Sequence, residues 1–232
     1  MDANFIVIFS YFIVIYRIVH LYEVLIAMSF QNQFTKTTTD ANLMETVHHG
    51  SAEYPFRYYY ENIALFDFKC IDWHWHSELE FIYIKSGNVV FDIGTVHFEL
   101  NEGDGIMINS KILHRLQSSS DAIIPNFLFQ PSFISPQDSL IYKKYINPVI
   151  SSSLEYLVFQ PDIPWQKKAL EIIKTIIAVQ ETEFNREIIV SMSVQQLWIL
   201  LLENLTFDQF ENMGAVISRT RLQLMMQYVH AH

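Results

Sequence analysis

The chain has 232 residues, half of them apolar and 15% aromatic, which is enough for a packed core in one or two domains and argues against general disorder. Its formal net charge is −10, so it lacks the Lys/Arg excess that neutralises a phosphate backbone, and direct grip on nucleic acid is not expected of it. Cys70 is the only cysteine; no intramolecular disulfide can form, a reducing cytoplasmic setting is expected, and Cys70 reads as a small buried apolar residue.

From Phe5 to Ile15 the sequence is FIVIFSYFIVI, and the apolar character continues to Met28. Arg17, His20 and Glu23 interrupt it at steps of three, which would form one polar stripe on a helix. A secretory signal needs basic residues ahead of the apolar run, and Met1 to Asn4 offers only Asp2. A membrane span needs roughly 20 apolar residues, and the uncharged stretch ends at Tyr16. An interfacial helix, a membrane anchor and a start codon set too far upstream (Met28 and Met44 would both serve as starts) stay open. Residues 31–43 are polar and Thr-rich and read as an unstructured connector. The whole of 1–43 is therefore expected outside the fold.

Between about Arg57 and Gln130 the chain is a series of short runs rich in Val, Ile, Phe and Tyr: LEFIYIK at 79–85, NVVFDI at 88–93, TVHFEL at 95–100 and GIMIN at 105–109. Gly87, Gly94, Gly103 and Gly105 punctuate them, the signature of an antiparallel sandwich or barrel. A tight hairpin is expected at Ile93-Gly94.

Chemistry concentrates in residues 74–114. His74 and His76 are two apart and share a strand face, while Trp73 and Trp75 alternate with them and point outward. His74-Trp-His76-x3-Glu80-x6-Gly87 resembles the back half of the first cupin motif. Gly103, Asn109, Lys111 and His114 resemble a degenerate second one, in which Asn109 stands for Pro and Lys111 for Gly. Three imidazoles and a carboxylate suit a divalent metal (Zn, Fe, Mn or Ni), an effector-contacting polar pocket, or purely structural histidines. His20, His48, His49 and His97 have no spacing partner and are read as solvated or singly satisfied. Glu78 reads as a solvated turn carboxylate.

After about Asp162 the period becomes helical. Asp162 is a cap candidate and Pro164 sits in the first turn. Leu170, Ile173, Ile176 and Ile177 stand opposite Lys167, Lys168, Glu171 and Lys174. A second helix begins near Asn185, with a seam of Val190, Val194, Leu197, Leu201 and Leu205. Trp198, Leu200 and Leu202 widen its apolar surface, so one face is expected to pack within the chain and another on a second subunit.

The phrases HWHSELEFIYIKSG, EGDGIMINSKILHRL and FQPDIPWQKKAL, followed by the helix pair, resemble the N-terminal region of bacterial AraC-type transcriptional regulators over roughly residues 44–232. The resemblance implies an α+β architecture, an antiparallel cupin (RmlC-like jelly-roll) β-barrel at 44–160 followed by an α-helical dimerisation hairpin at 161–206. Residues 207–232 would be a linker and the first helix of a C-terminal helix-turn-helix module not contained in this sequence. The implied function is non-enzymatic: a small metabolite, sugars among the family's effectors, bound at His74, His76, Glu80, Ile82, Ile84 and His114, with DNA reached only through the C-terminal module. The implied dimer uses Val190, Val194, Leu197, Leu201 and Leu205. A free-standing metal-dependent cupin enzyme, a dioxygenase or sugar isomerase, is the alternative, and a membrane-tethered receptor would require residues 5–27 to be an anchor.

Overall fold

The computed structural model describes residues 36–182 and 184–205. The apolar stretch from Phe5 to Met28 and the expected linker and tail at 207–232 lie outside the described residues. No helix among the described residues is long and apolar enough to cross a membrane.

The strands are β1 (Phe56–Asn62), β2 (Cys70–His74), β3 (Leu79–Tyr83), β4 (Asn88–Ile93), β5 (Val96–Asn101), β6 (Gly105–Ile108), β7 (His114–Gln117), β8 (Ile123–Phe129) and β9 (Tyr156–Phe159). They form a five-stranded sheet of order β1-β8-β3-β6-β9 and a four-stranded sheet of order β2-β7-β4-β5. Every pairing is antiparallel. The expected hairpin turns on Gly94 and Thr95, one residue later than read, since β4 keeps Ile93. Gly87 turns the chain between β3 and β4 at φ +80°, where a Cβ would meet the Asp121 carbonyl at 2.7 Å, so only glycine serves.

Burial explains the two textures of strand. The five-stranded sheet is covered on both faces, and β3, β6 and β8 are almost continuously apolar. Ile82, Ile84, Val89, Phe91, Ile106, Leu116 and Ile124 fill the space between the sheets. On the other face Leu79, Phe81, Met107, Phe127, Phe129 and Phe159 meet the helices, with Phe81 stacked on Phe127, Phe129 and Phe159 at centroid distances of 5.3, 5.8 and 6.3 Å. In the four-stranded sheet β5 buries only Leu100, because its second face meets water.

A π-helical turn at Tyr142–Ile146 leads into the short α1 (Asn147–Ile150), and then α2 (Pro164–Ala178) and α3 (Arg186–Asn204) form the expected hairpin. Pro164 opens α2, but its cap position is Ile163 rather than Asp162 and carries no side-chain bond. Gly105 lets α2 approach β6: a Cβ there would sit 2.9 Å from Leu170 Cδ2.

Two expectations change. Residues 36–43 belong to the fold: Asp40 Oδ1 accepts from Asn42 N and Met44 N, Leu43 is buried, and Met44 bridges to Trp75. The seam Val190, Val194, Leu197 and Leu201 is fully covered by the chain's own core, and Leu205 packs beside it. Val190, Val194, Leu197 and Leu201 are not available to a second subunit, and Leu205 is half-buried. The reason is the long apolar run of α3, which left its inward face undetermined by pattern alone; the β-sheet and α2 take the Val190 side. Leu197→Ala should cost about 2–5 kcal/mol in urea unfolding, and Leu197→Glu should yield unfolded protein rather than a folded monomer; a folded, soluble Leu197→Glu chain would contradict this packing.

Candidate metal and ligand site

β2, the turn after it and β7 bring His74, His76 and His114 together. His74 and His114 are register partners across the β2–β7 pair, and their ring centroids are 4.1 Å apart. His76 lies 5.2 Å from His114 and 5.8 Å from His74. One ring nitrogen from each lies within 4.8 Å of the others. Glu80 on β3 contacts two of the three, its Oε2 standing 3.3 Å from His76 Nε2 and 3.2 Å from His114 Nε2.

The backbone sets which nitrogen faces inward. His74 Nδ1 donates to the Asp72 carbonyl at 2.7 Å, His114 Nδ1 to the Ile112 carbonyl at 2.8 Å, and His76 Nδ1 to the Glu78 carbonyl at 3.3 Å. A carbonyl only accepts, so each Nδ1 carries a proton and each Nε2 is the nitrogen left for the interior. His114 Nε2 is buried with no aligned hydrogen bond despite its nearness to Glu80. Imidazole lone pairs therefore converge on a carboxylate, all of them acceptors, and such a cluster is stabilised only when something positive enters it. These residues fit a divalent metal held by nitrogen and carboxylate oxygen.

A cavity of about 40 Å³ opens on this cluster, room for about three water-sized occupants. Its remaining walls come from residues that spacing did not single out. Glu45 and His49 arrive from the segment ahead of β1: His49 Nε2 is 2.9 Å from Glu45 Oε2 and its Nδ1 is 2.9 Å from the Tyr59 hydroxyl. His49 also packs edge-on against His76 at 5.7 Å, so it belongs to the site instead of standing alone. Glu61 on β1 and Asn126 on β8 line the cavity as well; the visible signal was the single polar residue, Asn126, inside the apolar run IIPNFLF, whereas Glu61 stands among other polar residues in FRYYYEN. Ile82 and Ile84 do not line it. They are fully buried among the side chains between the sheets, and the apolar lining comes from residues such as Ile71, Leu116 and Leu128. Glu78 is also corrected: it is 8% exposed, with Oε1 accepting from Gln130 Nε2 at 2.6 Å. His97 stays at the surface beside Asp92, and Trp73 and Trp75 lie half-buried on the outside, the Trp75 indole donating to the Asn42 carbonyl.

The second motif is legible as structure. Lys111 keeps the left-handed conformation (φ 63°) of the glycine it replaces, and its N–H bonds the His76 carbonyl at 2.8 Å. Asn109 is fully buried and donates to the Val149 and Leu154 carbonyls, tying the sheet to α1 and to the chain just after it.

Burial, then the charge of His114, hold the His74 imidazole down to about 3 from an ordinary 6.5. Burial alone would raise Glu80, but the His114 and His76 imidazoles beside it, once protonated, outweigh that and hold its carboxyl well below the carboxylate range. Burial, with the charge of Glu80 added, pushes Glu61 up to about 8. Because His74 titrates lower in the folded chain than in the unfolded one, the unfolded chain takes the proton first, and stability is lost as pH falls from 6.5 toward 3. Glu80 loses its contribution in the same direction, below 4.5. Glu61 runs oppositely and costs stability as pH rises from 4.5 through 8. In metal-free protein His74→Asn should flatten the acid limb by close to one proton, about 1.4 kcal/mol per pH unit, read from urea midpoints; an unchanged slope would mean that this imidazole titrates freely.

Residues 70–124 match the family described as Cupin domain. Among solved structures, a cupin-2 domain containing protein from Shewanella frigidimarina is 14% identical, with a TM-score of 0.28, over 32% of this chain and 69% of that one. Oxalate decarboxylase of Bacillus subtilis is 22% identical, with a TM-score of 0.25, over 26% of this chain and 18% of that one. The uncharacterized HTH-type transcriptional regulator YdeC of Bacillus subtilis is 31% identical over 200 residues, 83% of this chain and 67% of YdeC. The chain carries a cupin domain and belongs to the family of the HTH-type transcriptional regulator YdeC.

Proposed function

We propose that this chain is the sensing part of a bacterial transcriptional regulator of the AraC type, and that its cupin barrel holds a divalent metal on His74, His76 and His114 with Glu80 beside it. The observation that carries this is the orphaned, fully buried His114 Nε2 facing a carboxylate. The metal would supply the missing positive charge and leave coordination positions open to a small effector. At about 40 Å³ the cavity suits a molecule of a few heavy atoms, and a hexose enters only if the walls move. A regulatory rather than enzymatic role is supported by the relationship to YdeC. DNA contact is assigned to a C-terminal helix-turn-helix module, in keeping with the helix-turn-helix type of that relative, and the setting to the cytoplasm. Elemental analysis of purified protein should find about one equivalent of a transition metal per chain, with His74→Ala/His114→Ala abolishing it. At a free metal concentration of 100 Kd the wild type should gain about 2.7 kcal/mol of stability. Protein that neither retains nor is stabilised by Zn, Fe, Mn or Ni would refute the metal reading. Turnover of a substrate by the loaded chain would favour the enzyme alternative.

We also propose a homodimer, through the outward face of α3 instead of the covered Val190 seam. Ile188, Met192, Gln195, Ile199 and Leu202 follow one another at four, three, four and three residues, the spacing of a coiled-coil seam with one polar position to fix register. Ile188, Met192 and Ile199 are 60%, 65% and 58% exposed. Beside them an apolar groove of about 810 Å³ is lined by Ile141, Tyr145, Trp198, Ile199 and Leu202 among others. A second copy presents the same face and satisfies two-fold symmetry. Met192→Glu/Ile199→Glu should leave a folded monomer by sedimentation where the wild type is a dimer at micromolar concentration; a monomeric wild type would contradict this interface.

A further inference from the structure

Antiparallel register places a polar track on the inner face of the five-stranded sheet, leading away from the three histidines. Glu80 pairs with Leu128, and Asn126, two residues along β8, shares that face. Tyr59 pairs with Asn126, and Glu61, two residues along β1, shares it in turn. Ile82, Ile124 and Leu128 surround these polar groups, so the track crosses an otherwise apolar wall where polar groups are costly unless they are bonded.

Asn126 is 1% exposed. Both of its N–H bonds are taken within the chain, by Glu61 Oε2 at 2.7 Å and the Ile124 carbonyl at 3.2 Å. What it offers the cavity is therefore Oδ1, which can only accept. Thr37 Oγ1, also in the lining, is buried without a partner and can donate or accept. With the histidine Nε2 atoms and the Glu80 carboxylate already facing inward, acceptors run from the histidines to Asn126, while the donors in the same lining are the Lys36 ammonium and the Thr37 and Tyr59 hydroxyls.

We propose that Asn126 and Glu61 read the effector, and that the effector is a compact molecule whose free end carries hydrogen-bond donors, a hydroxyl or an ammonium, and not a carboxylate. This deepens the sensing role proposed above and rests on it. The elevated titration of Glu61 agrees: burial and the charge of Glu80 make an anion costly there, and a donor or cation from the ligand offsets that cost. A carboxylate at that end would instead set a further anion near Glu80, whose charge already opposes ionisation of Glu61. The hydroxyl and ammonium forms share this chemistry and are separated by experiment.

The test is a saturation-transfer NMR titration of the full chain, metal-loaded and metal-free, with 1,2-ethanediol, ethanolamine and acetate as probes. The diol or the amine should bind at millimolar concentration and acetate should not. Whichever of the two binds identifies the donor. Asn126→Leu and Glu61→Gln should each weaken the binding at least tenfold, with thermal stability and metal affinity retained as controls for the fold and the histidine cluster. Acetate binding as tightly as the donors, or donors binding equally well to both variants, overturns the assignment of Asn126 and Glu61 and leaves the sensing role standing. No binding of any probe to either form overturns the sensing role itself.

Discussion

A carboxylate with both neighbouring faces enclosed by protein is among the most expensive groups a fold can hold, and Glu80 is one. Its place in the middle of the five-stranded sheet is forced: β3 lies between β8 and β6, so an inward side chain at that register has no route to water except through the cavity. The surrounding geometry answers that cost. The β2–β7 pairing sets His74 opposite His114, and carbonyls at Asp72, Ile112 and Glu78 fix the ring orientations. The Lys111 turn holds the backbone of His76 at some cost in local strain. Remove the carboxylate and the cluster loses the focus that His76 and His114 share.

That focus was legible in the sequence because it depends on local parity. Residues two apart on a strand share a face, and His74, His76 and Glu80 obey that rule with the turn between them. The opposite wall was less legible, since His49, Glu45, Glu61 and Asn126 reach the cavity from segments far apart in sequence, and only the register of β1 on β8 brings the last two together. A lone polar residue in an apolar strand carries the trace of such a site without its partner. Ile82 and Ile84 show the converse error: sharing parity with Glu80 put them on the inner face, but that face is mostly filled, and the cavity occupies only one end of it.

The helices show how pattern fails when it is too strong. The long apolar run of α3 is compatible with several faces packing inward, and the choice was made by α2 and the Phe81–Phe127–Phe129 surface, which accept Val190, Val194 and Leu197. The remaining stripe faces away from the barrel. Gly105 permits α2 to lie against β6, and Tyr83, the next residue out on β3, sits beneath the Lys174 ammonium at 4.8 Å. The sheet that carries Glu80 on one face thus carries the helical hairpin on the other, and the path from the histidines to the hairpin crosses that sheet. Two arrangements of that hairpin would be needed to make the path a signal.

The most direct measurement of the central claim is X-ray absorption at the K edge of the metal in zinc-loaded protein. The account predicts imidazole scattering from about three nitrogens at about 2.0–2.1 Å with an oxygen ligand beside them, reduced when His114 is replaced by alanine. A spectrum without imidazole scattering, or one that His114→Ala leaves unchanged, would contradict it.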